Sequence, residues 1–202
     1  AEAIADANKR GYDKLEMAGY LNDREERGSY IESFPVLGCL SDASRFAAEG
    51  YKFINTIYRI DGQAERLDLF KSLGLGDGDL ATFVHPTVYH APNVIFEPGA
   101  VLMPNVMINS GVKIGRCTLV MVGASVLHNT ELGPYNHIAA QAVVGAHIKT
   151  GTGVHIGLNA TLREYLEIGD FATVGMGAVL TKNVGEKEIW VGNPAKFLRM
   201  AQ

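Results

Sequence analysis

Between residues 84 and 180, apolar positions recur at a spacing that fits neither an α-helix nor an alternating strand. Counting in sixes from Val84 gives His90, Phe96, Leu102, Ile108, Ile114, Val120, Val126, Leu132, Ile138, Val144, Thr150, Ile156, Leu162, Ile168, Val174 and Leu180, and only His90 and Thr150 are neither aliphatic nor Phe. Two residues before them runs a second inward series, usually small or β-branched, such as Ala100, Val106, Thr118, Ala124, Thr130, Asn136, Ala142, Val154, Ala160, Ala172 and Ala178. Gly often follows the aliphatic residue, as in the Ile-Gly pairs at 114, 156 and 168. A helix would need a period of 3.6, and sandwich strands a period of two with turns every 8 to 12 residues or so. A period of six held this long is a repeat architecture of the parallel β-helix kind. Each hexad predicts a short strand and a corner, and three hexads predict a triangular coil of about 18 residues, stacked about 4.8 Å from the next.

Ahead of the repeat the pattern changes. Helices are predicted over 1–10, 41–49 and 62–74, the last closed by Gly74, and strands over 14–23 (KLEMAGYLND) and 51–58 (YKFINTIY). The alternation implies a small parallel α/β domain over 1–78, with GLGDGDLATFVHP leading into a repeat domain over 79–202. At the far end, IWVGNPAKFLR (189–199) places a Gly-Asn-Pro turn between an apolar stretch and a short basic segment.

Composition narrows the function. The 202 residues carry 22 acidic against 18 basic side chains with no long Lys/Arg run, so no nucleic-acid footprint is visible. The longest apolar run is far short of the roughly 20 residues a membrane span requires. Two distant cysteines, Cys39 and Cys117, form no disulfide or metal pattern, which fits a reducing, cytoplasmic setting.

The small α/β front, the His85-Pro86 entry, the hexapeptide repeat, the VLHN hexad at 126–129 and the VGNPAKFLR tail together resemble the hexapeptide-repeat acetyltransferases that act on nucleotide-linked amino sugars or on sialic acid. The resemblance implies a left-handed β-helix, preceded by a Rossmann-like sheet that here lacks its first strand and Gly-rich turn, because the sequence starts inside what corresponds to the first helix. It also implies a homotrimer with acetyl-CoA in the groove between neighbouring β-helices. His128 corresponds to the catalytic base. Asn129 stands where members commonly carry an acidic residue that orients the imidazole, and Glu131 is a candidate substitute. His137 corresponds to a second histidine near the thioester, and a backbone N–H at Gly145 or Ala146 to the donor for the thioester oxygen. Gly192, Pro194, Ala195 and Lys196 match the coenzyme-contacting tail. Lys182, Lys196 and Arg199 either meet the coenzyme's phosphates or are solvated charge, and Asp23 corresponds to the carboxylate for base or ribose contact. His147 and His155 read as polar edge residues, with His155 one coil above His137.

Histidine suits the base role because its pKa lies near neutrality, and acyl transfer also needs an oxyanion donor beside it. The expected activity is N-acetylation of a nucleotide-linked amino sugar by direct attack, with no metal. O-acetylation of sialic acid and a catalytically silent trimeric scaffold are the alternatives. A zinc site fits less well, because it needs a close histidine pair and the spacings here are 9, 10 and 8.

Overall fold

The computed structural model describes residues 1–12 and 14–202. From Phe83 the chain winds as a left-handed parallel β-helix, each coil giving one two-residue strand to each of three sheets. The first face stacks strands from Phe83–Val84 to Thr173–Val174, the second from Tyr89–His90 to Val179–Leu180, and the third from Ile95–Phe96 to Glu167–Ile168. Neighbouring strands pair one coil apart, Leu119 with His137, Ser125 with Val143 and Lys113 with Glu131. Both inward series fill the prism: Leu102, Ile108, Ile138, Ala142, Ile156 and Ala160 are fully buried. Each large side chain among them contributes about 1.5–3 kcal/mol through burial.

The polar inward residues are satisfied rather than tolerated. The Thr118 hydroxyl donates to the Gly133 carbonyl (2.7 Å), that of Thr130 to the Gly145 carbonyl (2.8 Å), and the Asn136 amide to the Gly151 carbonyl (2.7 Å). His90 escapes the cost of burial by lying exposed in the first coil.

Outwardly the three faces differ. The first is covered by the front of the chain: Ile4 and Ala7 pack on Phe83 and Val101, and Phe70 with Leu80 packs near Cys117. The third carries Lys113, Glu131, Lys149 and Glu167 in strand register, an alternating ladder suited to water. The second is left uncovered, with Tyr89 and Met107 exposed and Val143 partly so.

In the front, α1 (Glu2–Lys9) sits where the pattern places it. Asp6 accepts hydrogen bonds from Arg10 (2.7 Å) and from His85 Nε2 (3.0 Å), tying α1 to the first coil. The Arg10 contact, aided by His85, holds the Asp6 carboxyl below its ordinary range. Residues 40–42 form a 3₁₀ turn that leads into α2 (Ala43–Ala48), and α3 (Gln63–Ser72) ends before Gly74, which takes a left-handed φ of 69°.

The sheet departs in detail from expectation. The 14–23 stretch contributes only β1 (Tyr20–Leu21), which pairs in parallel with β3 (Phe34–Gly38). β3 also pairs antiparallel with β2 (Tyr30–Ile31), so the parallel pair carries an added hairpin strand. The 51–58 stretch forms no strand, and only Phe53 bridges to Leu80. A strand needs a hydrogen-bonded neighbour, and here a groove of about 650 Å³ separates 50–57 from 14–21.

At the other end, Glu188–Val191 extends the first face above Thr173–Val174, and Lys196–Met200 returns antiparallel to it.

Candidate active site

His128 follows the strand Ser125–Val126 and turns the corner between the second and third faces, exposed. That corner is built from a column of left-handed residues one coil apart: Gly111 at φ 70°, Asn129 at 55°, His147 at 56° and Tyr165 at 60°. Asn tolerates this region better than most residues because its short side chain bonds locally. Gly111 leaves room for it, since a Cβ there would come within 2.3 Å of Asn129 Oδ1. The Asn129 amide reaches His128 Nδ1 at 3.4 Å. Here the amide N–H₂ end faces Nδ1, which makes Nδ1 the acceptor and puts the ring hydrogen on Nε2; the amide turned end for end would keep the hydrogen on Nδ1 and leave Nε2 free to take a proton.

His147 is more than an edge residue. Its ring stands at right angles to that of His128 with centroids 5.1 Å apart, and lies parallel to Tyr165 at 4.7 Å. The sequence signal was a spacing of one coil plus one residue.

Beside His128 opens a cleft of about 660 Å³, floored by Val143, Thr161 and Val179 of the second face and walled by the 145–147 corner with Tyr165. Ala146 lies one coil above His128 at the same corner, hence about 4.8 Å higher. The Gly145 N–H donates to the Leu162 carbonyl (3.1 Å) and the His147 N–H to the His128 carbonyl (3.0 Å). The Ala146 N–H has no partner among the described residues. Of the two expected oxyanion donors, only Ala146 is free. Gly145 serves close packing instead, because a Cβ on it would sit 2.6 Å from the Leu162 carbonyl oxygen. Lys182 occupies the same corner two coils above Ala146 and is exposed.

The tail reaches this region through the last strand of the second face. Val179 donates to the Gly192 carbonyl (3.0 Å) and accepts from the Ala195 N–H (2.8 Å), so the 192–195 turn closes over the strand that ends the cleft. Ala195 is buried there, while Pro194 and Lys196 are exposed. Arg199 is not free for a phosphate: it pairs with Asp61 at 2.8 Å. Asp61 also accepts the Gln202 N–H, and these two contacts hold its carboxyl below the ordinary range, the Gln202 bond most strongly.

Three expected site residues lie elsewhere. Glu131 is exposed on the third face, in register with Lys113 and Lys149, and does not line the cleft. Asp23 accepts the Leu40 N–H (2.7 Å), starting the 3₁₀ turn at 40–42. His137 lies mid-strand on the first face, which is opposite the corner of His128 in a three-sided prism. It stacks on both Tyr58 (4.2 Å) and His155 (5.2 Å), which also meet each other at 5.7 Å, and its Nδ1 is 3.2 Å from that of His155. The Tyr58 hydroxyl bonds His155 Nδ1. Burial pushes His137 down to about 4; burial, with the neighbouring His137, pushes His155 down to about 3; burial alone raises the Tyr58 phenol. The pair is therefore neutral at ordinary pH. The role of Tyr58 was hidden in the sequence, because nothing in TIYRIDG says which face it will cover.

A second cavity, about 290 Å³, lies beside this stack and is lined by Asn55, Arg59, Gln63, Arg66 and His137. Gln63 is buried; its Nε2 donates to Thr173 (3.3 Å), whereas its Oε1 has no partner among the described residues. No group of three or more His, Cys, Asp or Glu side chains among the described residues is arranged to hold a metal ion, and no described helix is long and apolar enough to cross a membrane.

No family model matches the chain. It is similar to serine acetyltransferase 3, mitochondrial, of Arabidopsis thaliana, at 32% identity over 121 residues, which is 59% of this chain and 30% of that protein. The chain spans less than half the length of the curated relatives it matches. Among solved structures, the acetyltransferase domain of PglB from Neisseria gonorrhoeae in complex with acetyl coenzyme A superposes with a TM-score of 0.81 at 24% identity, covering 98% of this chain and 93% of that one. A variant of GDP-perosamine N-acetyl transferase from Caulobacter crescentus, solved with CoA and GDP-perosamine, gives 0.82 at 21% identity, covering 98% and 90%. At such identities the superpositions are a likeness of fold.

Proposed function

We propose that this chain is a hexapeptide-repeat acetyltransferase that moves an acetyl group from acetyl-CoA to the amino group of a nucleotide-linked sugar. The observation that carries this reading is the pairing, one coil apart at one corner, of an exposed imidazole with an unpartnered backbone N–H, both lining one cleft. In the reaction the acceptor nitrogen attacks the thioester carbon while His128 takes its proton. The Ala146 N–H donates to the carbonyl oxygen as it gains charge; the C–S bond then breaks and coenzyme A leaves, recovering the proton as a thiol. Asn129 orients the ring. Lys182, Lys196 and the turn at Gly192, Pro194 and Ala195 hold the coenzyme at the upper end of the cleft, with Gly145 packing beneath Ala146.

The solved relatives with acetyl-CoA, and with CoA and GDP-perosamine, support this choice of ligands. The acceptor's diphosphate is assigned to the cavity of Arg59 and Arg66 in a neighbouring copy, because within one chain that cavity lies opposite His128; this moves His137 from the coenzyme to the acceptor side, and Asp23 is left as a contact for the base or ribose at the front. We assign a homotrimer, in which neighbouring copies cover the second face. The exposed apolar column Val122, Leu158 and Met176 borders that face and would be buried with it. Two free thiols, Cys39 and Cys117, favour the cytoplasm.

The test is thiol release from acetyl-CoA against UDP- and GDP-linked amino sugars and free sialic acid, for the native chain and His128→Ala. Turnover with a nucleotide amino sugar, cut about 10²–10⁴-fold in the variant while coenzyme binding persists, is the expected result. Turnover only with sialic acid would replace the acceptor. Coenzyme binding without turnover on any acceptor would replace the enzyme with a scaffold.

A further inference from the structure

The corners of this β-helix differ in how they close: many bond within their own turn, some take a hydroxyl from the coil below, and others, such as 127–130 and 163–166 at the edge of His128, show neither bond among the described residues. In the first kind, the N–H of the inward residue bonds the carbonyl three residues back within its own turn. Ala124 reaches Met121 (3.2 Å), Ala142 reaches Ala139 (3.2 Å) and Ala160 reaches Gly157 (3.1 Å). The corner at 145–148 does not close on itself. The Thr130 hydroxyl, fully buried in the coil below, is inserted into the turn: it donates to the Gly145 carbonyl at 2.8 Å and accepts the Ile148 N–H at 3.1 Å. Both ends of this turn are therefore bonded to one buried hydroxyl, which the open turns at 127–130 and 163–166 of the same edge lack.

The peptide inside that opened turn is the one that presents the Ala146 N–H to the cleft. We propose that Thr130 is a positioning residue for acyl transfer: its hydroxyl sets the open corner that aims the Ala146 N–H at the thioester oxygen. The inference rests on the acyltransferase reading above. Oxyanion donors act only when fixed before the charge appears, and a displacement of about 1 Å at a reacting group costs on the order of 100-fold. Thr130 touches no reactant. It acts by fixing both ends of a turn whose middle does.

The chain contains its own control. Thr118 makes the same insertion at the 133–136 corner, donating to the Gly133 carbonyl at 2.7 Å and accepting the Asn136 N–H at 3.0 Å, and it too is fully buried. That corner does not line the cleft of His128; through Tyr135 and Asn136 it borders the acceptor-side cavity, so its loss can reach acceptor binding but not the thioester oxygen. Removing either hydroxyl strands one buried carbonyl and one buried N–H, so the two losses of stability should be alike. Only one should reach the chemistry.

The experiment compares Thr130→Val, Thr130→Ser and Thr118→Val in the full chain, measuring kcat, KM for acetyl-CoA, thermal midpoint, and the ratio of acetyl-CoA to coenzyme A affinity. The expected result is a kcat loss of about 10- to 100-fold in Thr130→Val, with the preference for the acetylated coenzyme lost. Thr130→Ser should restore both, and Thr118→Val should keep the preference for acetyl-CoA and lose clearly less kcat at saturating acceptor than Thr130→Val, despite a similar midpoint shift. Should the valine variant not fold, Thr130→Ala carries the same comparison without the added methyl. Equal kcat losses in the Thr130 and Thr118 variants, or a native kcat in Thr130→Val, would overturn the role of Thr130 and leave the acyltransferase reading standing. A native chain that neither turns over acetyl-CoA nor prefers it to coenzyme A would overturn both.

Discussion

The buried histidine pair makes stability depend on pH in a window that can be worked out beforehand. His137 and His155 sit at about 4 and about 3 in the folded chain, both through burial, against about 6.5 when unfolded. A histidine whose folded pKa is depressed is neutral where the fold is most stable. Its contribution is complete above pH 6.5 and declines as pH falls below that value, because the unfolded chain takes up the proton first. At pH 5 both folded pKa values still lie below the solution pH, so the loss depends almost wholly on the unfolded value: about 1.5 pH units, or ~2 kcal/mol for each histidine and ~4 kcal/mol for the pair. The exact depth of the two folded pKa values does not enter. The perturbation is the double change His137→Phe with His155→Phe, which keeps flat rings under Tyr58 and removes the titration. Urea unfolding at pH 7.5 and 5.0, at one chain concentration, can be followed by the single tryptophan, Trp190, which packs against the prism core. Exposed carboxylates such as Asp6 and Asp61 titrate in both proteins and cancel in the comparison. The native chain should lose roughly 3–4 kcal/mol more than the double variant between the two pH values. Parallel losses would show that the pair is not buried neutral beneath Tyr58, and the description of the front docked on the first face would fall with it.

Two further outcomes follow from the site. Asn129→Asp puts a carboxylate on His128 Nδ1, which stabilises the charged imidazole; the acid limb of the pH–rate profile should move to higher pH and kcat on its plateau should rise, and an unmoved limb would mean that the 3.4 Å contact does not govern the base. Lys182→Ala should raise KM for acetyl-CoA several-fold, whereas Arg199→Ala should leave it unchanged and cost at most about 1 kcal/mol of stability, since the half-exposed Arg199 is spent on Asp61; initial-rate kinetics on both variants separate these roles.

The repeat was legible because a period of six is imposed by the prism itself: every sixth residue meets the same interior, and a one-residue slip would expose the whole series. Two of the inward polar residues in the middle of the repeat, Asn136 and Thr150, were equally regular in position, and the structure shows them bonded to each other. The front was less legible for a complementary reason. Its strands are defined by neighbours rather than by their own pattern, so 51–58, apolar and β-branched as any strand, stays unpaired where no partner lies alongside, while Phe34–Gly38 becomes the central strand despite Pro35. Site residues divide along the same line. The regular 18-residue spacing placed His128, Ala146 and Lys182 at one corner, because the repeat fixes register. It also set His155 above His137, but at a strand centre rather than an edge.

What the repeat could not say is what covers each face, and that decides chemistry here. An outward histidine on the covered first face becomes a neutral, stacked core group, while an outward histidine at the corner flanking the bare second face is left in water beside a free N–H. The same arithmetic hides Thr130, whose place in the inward series marks it as filling. Its function comes from the corner above it, where its hydroxyl bonds both the Gly145 carbonyl and the Ile148 N–H. Further positioning residues in such repeats are therefore to be sought among inward hydroxyls one coil below a corner that presents a backbone N–H to a cleft.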